Sequence, residues 1–357
     1  MSGQGAYLLL EDGSRFEGEP LGAAGLAVGE AVFSTLLTGH QRLLTSPVTS
    51  GQLLTLTSPL IGNVGHSRQE MEGERVYAAG LIVRECAARP SNFRAEGPFE
   101  AFLTEQGVVG LQGVDTRALT RHLRSAGRLR GAIVSGVAAD DEALLAQLGA
   151  LEFCPDLSGA RYTPAVQPTG FLVAVVDYGC GDGLLRQLEA QNCRVRLLPP
   201  DFAPEQAAGA DGLLLSDGPE RLDHPVEALT ALLHSGLPML GIGTGHLTLA
   251  RAAGCDLLRL PCGHRGANYP VTVLEQDCTV ITEQHHGCAV CPDSAAAHGL
   301  TVSHINRNDG SVEGLRYGAA PCLSVQFTPP DGPWPQGGET VLETFCGLMA
   351  EGRGAHA

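Results

Sequence analysis

Leu237-Pro238-Met239-Leu240-Gly241-Ile242-Gly243-Thr244-Gly245-His246 passes from an apolar run into three closely spaced glycines and on toward a helical pattern. Residues 237–242 read as a buried strand, the glycines as a tight turn, and 246–253 as a helix. An elbow of this kind needs small residues beside its apex, because the turn is strained and backbones approach closely. The apex also meets a helix N-terminus, where backbone N–H groups favour a thiolate or an oxyanion. Gly243 stands at that apex, so the position that ought to present a nucleophile carries no side chain. Taken alone, the stretch reads first as a plain strand–helix turn with three glycines.

The neighbours on either side fix the fold class. Strand patterns at 171–176, 194–198 and 211–216 alternate with helical patterns at 184–191 and 226–234. This rhythm predicts a parallel, doubly wound α/β sheet with helices on both faces. Ligands of such sheets bind at the carboxyl ends of the strands, here after Asp177, Ser216 and Ile242. Residues 271–324 are richer in strand pattern, with Asn308-Asp309-Gly310 as a turn, and a helix is expected at 339–349.

Upstream the pattern is different. Asp12-Gly13 lies between Tyr7-Leu8-Leu9-Leu10 and the residues after Ser14 and predicts a hairpin. Further strands are expected at 31–33, 52–57 and 79–84, and helices at 115–124 and 139–148, the second with Gly149 just past its end. Prolines and glycines without periodicity then mark a linker. The expected domains are residues 1–150, a linker at 151–170, a second domain at 171–350 and a tail at 351–357.

Bulk properties narrow the possible functions. The 357 residues allow two domains, each with its own core. Apolar residues make up 43% and charged residues 17%, which excludes wholesale disorder. The net charge of −16 argues against a nucleic-acid partner. Arg117, Arg121, Arg124, Arg128 and Arg130 form the densest basic patch, expected to be one solvated helix face. No apolar run of 18 residues and no leader pattern is present, so no membrane association and a cytoplasmic location are expected. Eleven scattered cysteines fit buried thiols rather than a disulfide framework.

Several motifs go beyond fold class. In the first domain they include Gly29-Glu30-Ala31-Val32-Phe33, Thr38-Gly39-His40-Gln41, Thr57-Ser58-Pro59-Leu60-Ile61-Gly62-Asn63 and Pro90-Ser91-Asn92-Phe93-Arg94. In the second they include Leu215-Ser216-Asp217-Gly218-Pro219, Gly263-His264-Arg265-Gly266-Ala267-Asn268-Tyr269-Pro270-Val271 and Asn308-Asp309-Gly310-Ser311-Val312-Glu313-Gly314. In their order and spacing they resemble the small, glutaminase subunit of carbamoyl phosphate synthetase, from about Leu8 to about Met349. The resemblance implies an N-terminal domain peculiar to that family, of mixed structure, followed by a class I glutamine amidotransferase domain. It implies a large-subunit partner that receives ammonia and consumes ATP and bicarbonate, with no cofactor in this chain. The product would serve pyrimidine and arginine synthesis.

At the implied active site the sequence departs from the family. Where the family reads Gly-Ile-Cys-Leu-Gly-His-Gln, this chain reads Gly-Ile-Gly-Thr-Gly-His-Leu, placing Gly243 at the nucleophile, Thr244 after it and Leu247 at the glutamine. The family's His-Pro-Glu, which supplies base and orienter, falls on Thr328-Pro329-Pro330. Its pocket serine falls on Val48. Its Asn-Gly-Pro-Gly oxyanion loop becomes Asp217-Gly218-Pro219-Glu220, and its Gln-Asn-His-Gly-Phe becomes Gln284-His285-His286-Gly287-Cys288. A thioester mechanism needs a thiolate, a base and an orienter, and all three side chains are missing. The expectation is a small subunit that no longer hydrolyses glutamine, its partner using free ammonia. The alternative is a stand-alone binding or regulatory protein with a repurposed pocket. His285, Cys288 and Cys291, with Cys262 and His264 in reach, have zinc-ligand types, weighed against buried thiols and a core histidine. In a strand His285 and His286 should face opposite ways.

Overall fold

The computed structural model describes residues 5–150, 155, 157, 168–329 and 340–355. Two compact units divide the chain, Met1–Arg161 and Tyr162–Ala357. Most of the expected linker lies outside the described residues.

In the first unit β1 (Ala6–Leu10), β2 (Arg15–Gly22), β3 (Gly25–Ser34), β4 (Gln52–Leu56), β5 (Gly80–Ile82), β6 (Val109–Gln112) and β7 (Leu129–Ser135) close into a barrel of order β1-β2-β6-β5-β4-β3-β7. The Asp12-Gly13 hairpin forms as expected. Gly13 takes φ +83°, and Leu10 N–H donates to Ser14 O at 2.9 Å. Alternation along β1 sends Leu8 and Leu10 into one core with Leu53, Ile82, Leu111 and Ile133. It sends Tyr7 and Leu9 into another, with Ala132, Val134, Leu144 and Leu148. The helices are α1 (His40–Leu44), α2 (Phe99–Glu105), α3 (Thr116–Ala126) and α4 (Asp141–Gly149). Asp115 caps α3 by accepting from Ala118 N–H at 2.9 Å, and Asp140 caps α4.

Two expectations are corrected here. Arg117, Arg121 and Arg124 do form an exposed face of α3, but Arg128 and Arg130 leave it. Arg128 pairs with Glu30. Arg130, on β7, donates to Leu148 O and Gly149 O at 3.0 and 2.9 Å, satisfying the open carbonyls at the end of α4. Gly149 is the last residue of α4, with Ala150 as its cap, not a residue beyond it.

The second unit is a nine-stranded sheet with helices on both faces. Its elements are β8 (Leu172–Val176), α5 (Asp182–Ala190), β9 (Arg194–Leu198), β10 (Gly212–Leu215), α6 (Glu227–Leu232), β11 (Met239–Ile242) and α7 (Thr244–Ala252). There follow β12 (Leu257–Val273), β13 (Cys278–Val290), α8 (Pro292–Ala297), β14 (Thr301–Asn306), β15 (Val312–Arg316), β16 (Cys322–Val325) and α9 (Val341–Ala355). The order is β13-β12-β14-β15-β16-β11-β10-β8-β9. The stretch from β16 to β9 is parallel and the rest antiparallel. Val173 and Val175 face Leu185, Leu188, Leu342 and Phe345. Ala174 and Val176 face Leu229, Leu233, Leu247 and Leu249. Burial on both faces explains why β8 and β10 are unbroken apolar runs. The strand-rich part begins at Leu257 rather than 271, and α9 runs through much of the expected tail, to Ala355. No helix among the described residues is long and apolar enough to cross a membrane.

Candidate functional site

β11 lies between β10 and β16, parallel to both, so its carboxyl end opens in the middle of the sheet. Gly243 follows at φ +53° and ψ −113°, and α7 starts at the next residue. The elbow predicted from sequence is therefore present in full. Its flanking glycines are required by close backbone contact. A Cβ on Gly241 would lie 2.8 Å from Gly245 O, and one on Gly245 would lie 2.2 Å from Leu215 O. Gly243 N–H donates to Val325 O at 2.9 Å and Gly245 N–H to Ser216 O at 3.1 Å, pinning the turn to both neighbouring strands.

The apex is covered by the loop that follows β10. A Cβ on Gly243 would stand 2.1 Å from Asp217 Oδ1 and 2.3 Å from Asp217 Cγ. The carboxylate thus fills the volume that any apex side chain would need. Asp217 Oδ1 accepts from Thr244 N–H at 3.0 Å and from Gly218 N–H at 2.8 Å. Thr244 is the first residue of α7, so the carboxylate sits where the helix terminus offers a free donor and partial positive charge. Burial pushes the Asp217 carboxyl up to about 6, against the Thr244 and Gly218 donors that favour its charged form. The loop is fixed from below as well. Thr244 Oγ1 donates to Gly218 O at 2.9 Å, and a Cβ on Gly218 would fall 1.9 Å from Tyr178 O.

Glu220 fastens the same loop to β13. Its Oε2 accepts from Gly287 N–H at 2.5 Å and its Oε1 from Cys288 Sγ at 3.4 Å. His285 pairs through Nε2 with Glu283 Oε1 at 3.0 Å. Thr328 N–H donates to Glu283 O at 2.9 Å, so position 328 meets the backbone of β13 beside that pair. Leu247 is buried in the core beneath the elbow. Gly243, Thr244, Asp217, Gly218, Glu220, Gly287 and Cys288 are linked by these contacts. Val48 lies in the first unit, buried in the turn Pro47–Thr49, and Pro330 lies outside the described residues.

The candidate metal ligands do not gather as the sequence suggested. Cys288 is turned to Glu220, His285 to Glu283, and Cys291 stands at the N-cap position of α8 with no capping bond from its side chain. Among the described residues the close group is instead His264, His286 and Glu313, with ligand atoms within 4.8 Å of one another. Asn306 Nδ2 is 3.0 Å from Glu313 Oε1 and 3.3 Å from both His264 Nδ1 and Gln284 Oε1. A side-chain amide therefore already links the ligand atoms a cation would need, and the trio is a buried hydrogen-bond network. Burial opposes protonation of His264, but Glu313 and Asp309 outweigh it and raise its pKa; burial pushes His286 down to about 4. His285 and His286 do diverge along β13, as strand alternation requires.

Sequence reasoning missed the part played by Asp217. It singled out Glu220 as the intruding charge and left Asp217 as a neighbour in the same loop. The available signal was the pairing of an acidic residue at 217 with a bare apex at 243, two positions that compete for one volume.

The description "Carbamoyl-phosphate synthase small chain, CPSase domain" matches residues 8–133, and "Glutamine amidotransferase class-I" matches residues 174–346. A carbamoyl phosphate synthase small chain of Bacillus caldolyticus is 38% identical over 352 residues, covering 96% of each chain. One from Polynucleobacter asymbioticus is 37% identical over 381 residues, again covering 96% of each. Among solved structures, a glutamine amidotransferase from Thermotoga maritima overlies 44% of this chain and 74% of its own, at 16% identity and a TM-score of 0.36. With both domain descriptions matched in order and relatives spanning the chain almost end to end, this chain belongs to the carbamoyl phosphate synthase small chain family, and its second unit is a class I glutamine amidotransferase domain.

Proposed function

We propose that the chain acts as the small-subunit partner of a carbamoyl phosphate synthase without hydrolysing glutamine. The observation that carries this is the Asp217 carboxylate, seated on the α7 N-terminus in the volume that an apex side chain on Gly243 would need. A nucleophile is missing, and the space and the donor that would serve one are taken by the protein's own anion. Thr328 and Pro330, at the positions of base and orienter, supply neither chemistry. Losing one member of such a unit removes most of its advantage, and here three are replaced. The partner subunit would then draw on free ammonia, with ATP and bicarbonate bound there and not here. Glu220, tied to Gly287 and Cys288, argues against the second reading, a pocket repurposed for another ligand.

Docking has its own support in the first unit. Phe93 is 92% exposed, and Leu60 and Val64 are exposed on a loop joined to it by Ser91 N–H donating to Asn63 O at 2.8 Å. Exposed apolar side chains on two loops held together in this way suit an interaction surface, and the large subunit is the occupant we assign to it.

The test is reconstitution with the cognate large subunit, measuring carbamoyl phosphate formed from glutamine and from ammonium. Synthesis with ammonium and none above background with glutamine is expected. Robust glutamine-dependent synthesis would sink the reading. Phe93→Asp should weaken the complex at least tenfold in a sedimentation or calorimetric titration; unchanged affinity would remove the patch from the interface.

A further inference from the structure

A cavity of about 820 Å³ opens where Asp211 and Pro238 lead into β10 and β11, at the end of the sheet opposite the elbow. No residue of the elbow or its covering loop lines it. Among the described residues its apolar wall comes from Ala207, Ala210, Leu232, Leu237, Pro238 and Met349. Cavities that hold small organic molecules run from about 300 to 1,000 Å³, with apolar walls and a few placed polar groups. Glycine keeps the wall thin on α9. Beyond its own helix, a Cβ on Gly352 would meet only Pro238 Cγ, at 3.7 Å, although alanine is the better helix former.

The polar side chains of the wall are Asp211, Ser235 and Arg353, and most of their bonding is internal. Asp211 accepts from Arg353 Nε and Nη2 at 2.7 and 2.6 Å and from Leu172 N–H at 2.7 Å. Ser235 Oγ donates to Leu232 O at 2.7 Å and accepts from Leu237 N–H at 3.2 Å. Arg353 lies over the Phe171 ring, 4.6 Å from its centre. Its Nη1 group has no partner among the described residues. Arg196 braces the rim, donating to Gln206 O and Ala208 O at 3.1 and 3.0 Å. Two guanidinium groups thus stand against one carboxylate, in a chain whose net charge is −16.

We propose that this cavity binds a small organic monoanion with an apolar body, a carboxylate carried on an alkyl or aryl frame. The apolar wall holds the body, because a ligand that fills the volume removes that surface and its own from water. The charge follows from the polar groups. Asp211 is already paired with Arg353 and Leu172, so a cationic ligand meets no open carboxylate. An anion instead reaches Arg353 Nη1 in a charge-assisted hydrogen bond, and Arg196 adds a favourable potential over the rim.

The experiment uses the full chain. Anilinonaphthalene sulfonate, an apolar ring system with one anionic group, should bind at one site per chain in a fluorescence titration, with a dissociation constant below about 100 µM. Neutral phenylnaphthylamine should bind at least about tenfold more weakly, for want of the charge-assisted contact, and decanoate should displace the sulfonate. In Gly352→Leu the added side chain enters the cavity. Affinity for the sulfonate should fall at least about tenfold, while the thermal midpoint holds or rises because leucine is the better helix former. Benzoylbenzoate, an aryl carboxylate that cross-links to nearby C–H bonds under light, should label the unaltered chain at Met349 or between 204 and 238. Five results would each overturn the proposal: no saturable binding, equal affinity for the neutral compound, no displacement by decanoate, unchanged binding in a folded Gly352→Leu, or cross-linking confined to other segments. The cross-link map on the unaltered chain decides the location even if the variant fails to fold.

Discussion

Gly243 and Asp217 hold complementary positions, and their energetics should be coupled. Giving position 243 a side chain imposes two costs at once. The residue would have to keep φ +53° and ψ −113°, and its Cβ would meet Asp217 Oδ1 at 2.1 Å. A non-glycine residue in such backbone costs about 1–3 kcal/mol before any clash is counted. Gly243→Cys is therefore expected to lose at least that much stability in urea unfolding and to gain no glutamine hydrolysis. Adding Asp217→Gly should return part of the loss, giving a coupling energy well outside additivity. A Gly243→Cys variant as stable as its parent would show that the carboxylate yields freely. Glu220 makes a separate prediction. Glu220→Ala leaves the buried Gly287 N–H without its acceptor, which should cost about 1–3 kcal/mol and quicken alkylation of Cys288. Unchanged Cys288 reactivity would mean that Glu220 does not shield it.

At the scale of elements, contact and not glycine content decides which glycines matter. A Cβ on Gly245 would lie 2.2 Å from Leu215 O, a backbone atom of a central strand with nowhere to go. Gly245→Ala should cost more than about 4 kcal/mol, at the far end of single substitutions. Gly149 ends α4 with open space around its missing Cβ and no left-handed φ. Gly149→Ala should stabilise the first unit by about 0.5–1 kcal/mol, readable as a rise in its unfolding midpoint. The same distinction explains what the sequence could convey. β8, β10 and β11 were legible because a strand buried on both faces is a local apolar run, and α3 because Asp115 and the Leu119–Leu123 spacing are local signals. β6 and β7 were not. Val109–Gln112 is four residues long, and β7 carries Arg130 and Gly131; each becomes a strand only by pairing with partners far along the chain. Closure of the barrel is set by those pairings. At the candidate site the bare apex was legible in Gly243 itself. Its covering by Asp217 was not, since it depends on how the loop after β10 folds back over β11.

Across the second unit as a whole, the buried histidines should set its response to acid. Burial pushes His246 down to about 3, and His224, His286 and His304 down to about 4. For each, the folded pKa lies below the unfolded value of about 6.5. Their contribution is therefore intact above pH 6.5 and is lost progressively as pH falls from there toward 4. Two groups act the other way. Asp217, raised to about 6, favours the folded state as pH falls below that value. His264, raised by Glu313 and Asp309 against burial, gives stability that is complete below 6.5 and lost as pH rises through its folded value. At pH 5 His264 is protonated in both states, so the balance is four histidines less one carboxyl. That leaves roughly three more protons on the unfolded chain. With stability rising with pH wherever the unfolded state binds more protons, the midpoint of the second unit should fall by at least about 5 °C between pH 7.5 and 5. Calorimetry across that range is the check, and His304→Gln should flatten the slope by about one proton. A midpoint that holds steady or climbs toward pH 5 would mean that these histidines are charged, or hydrated, in the folded protein.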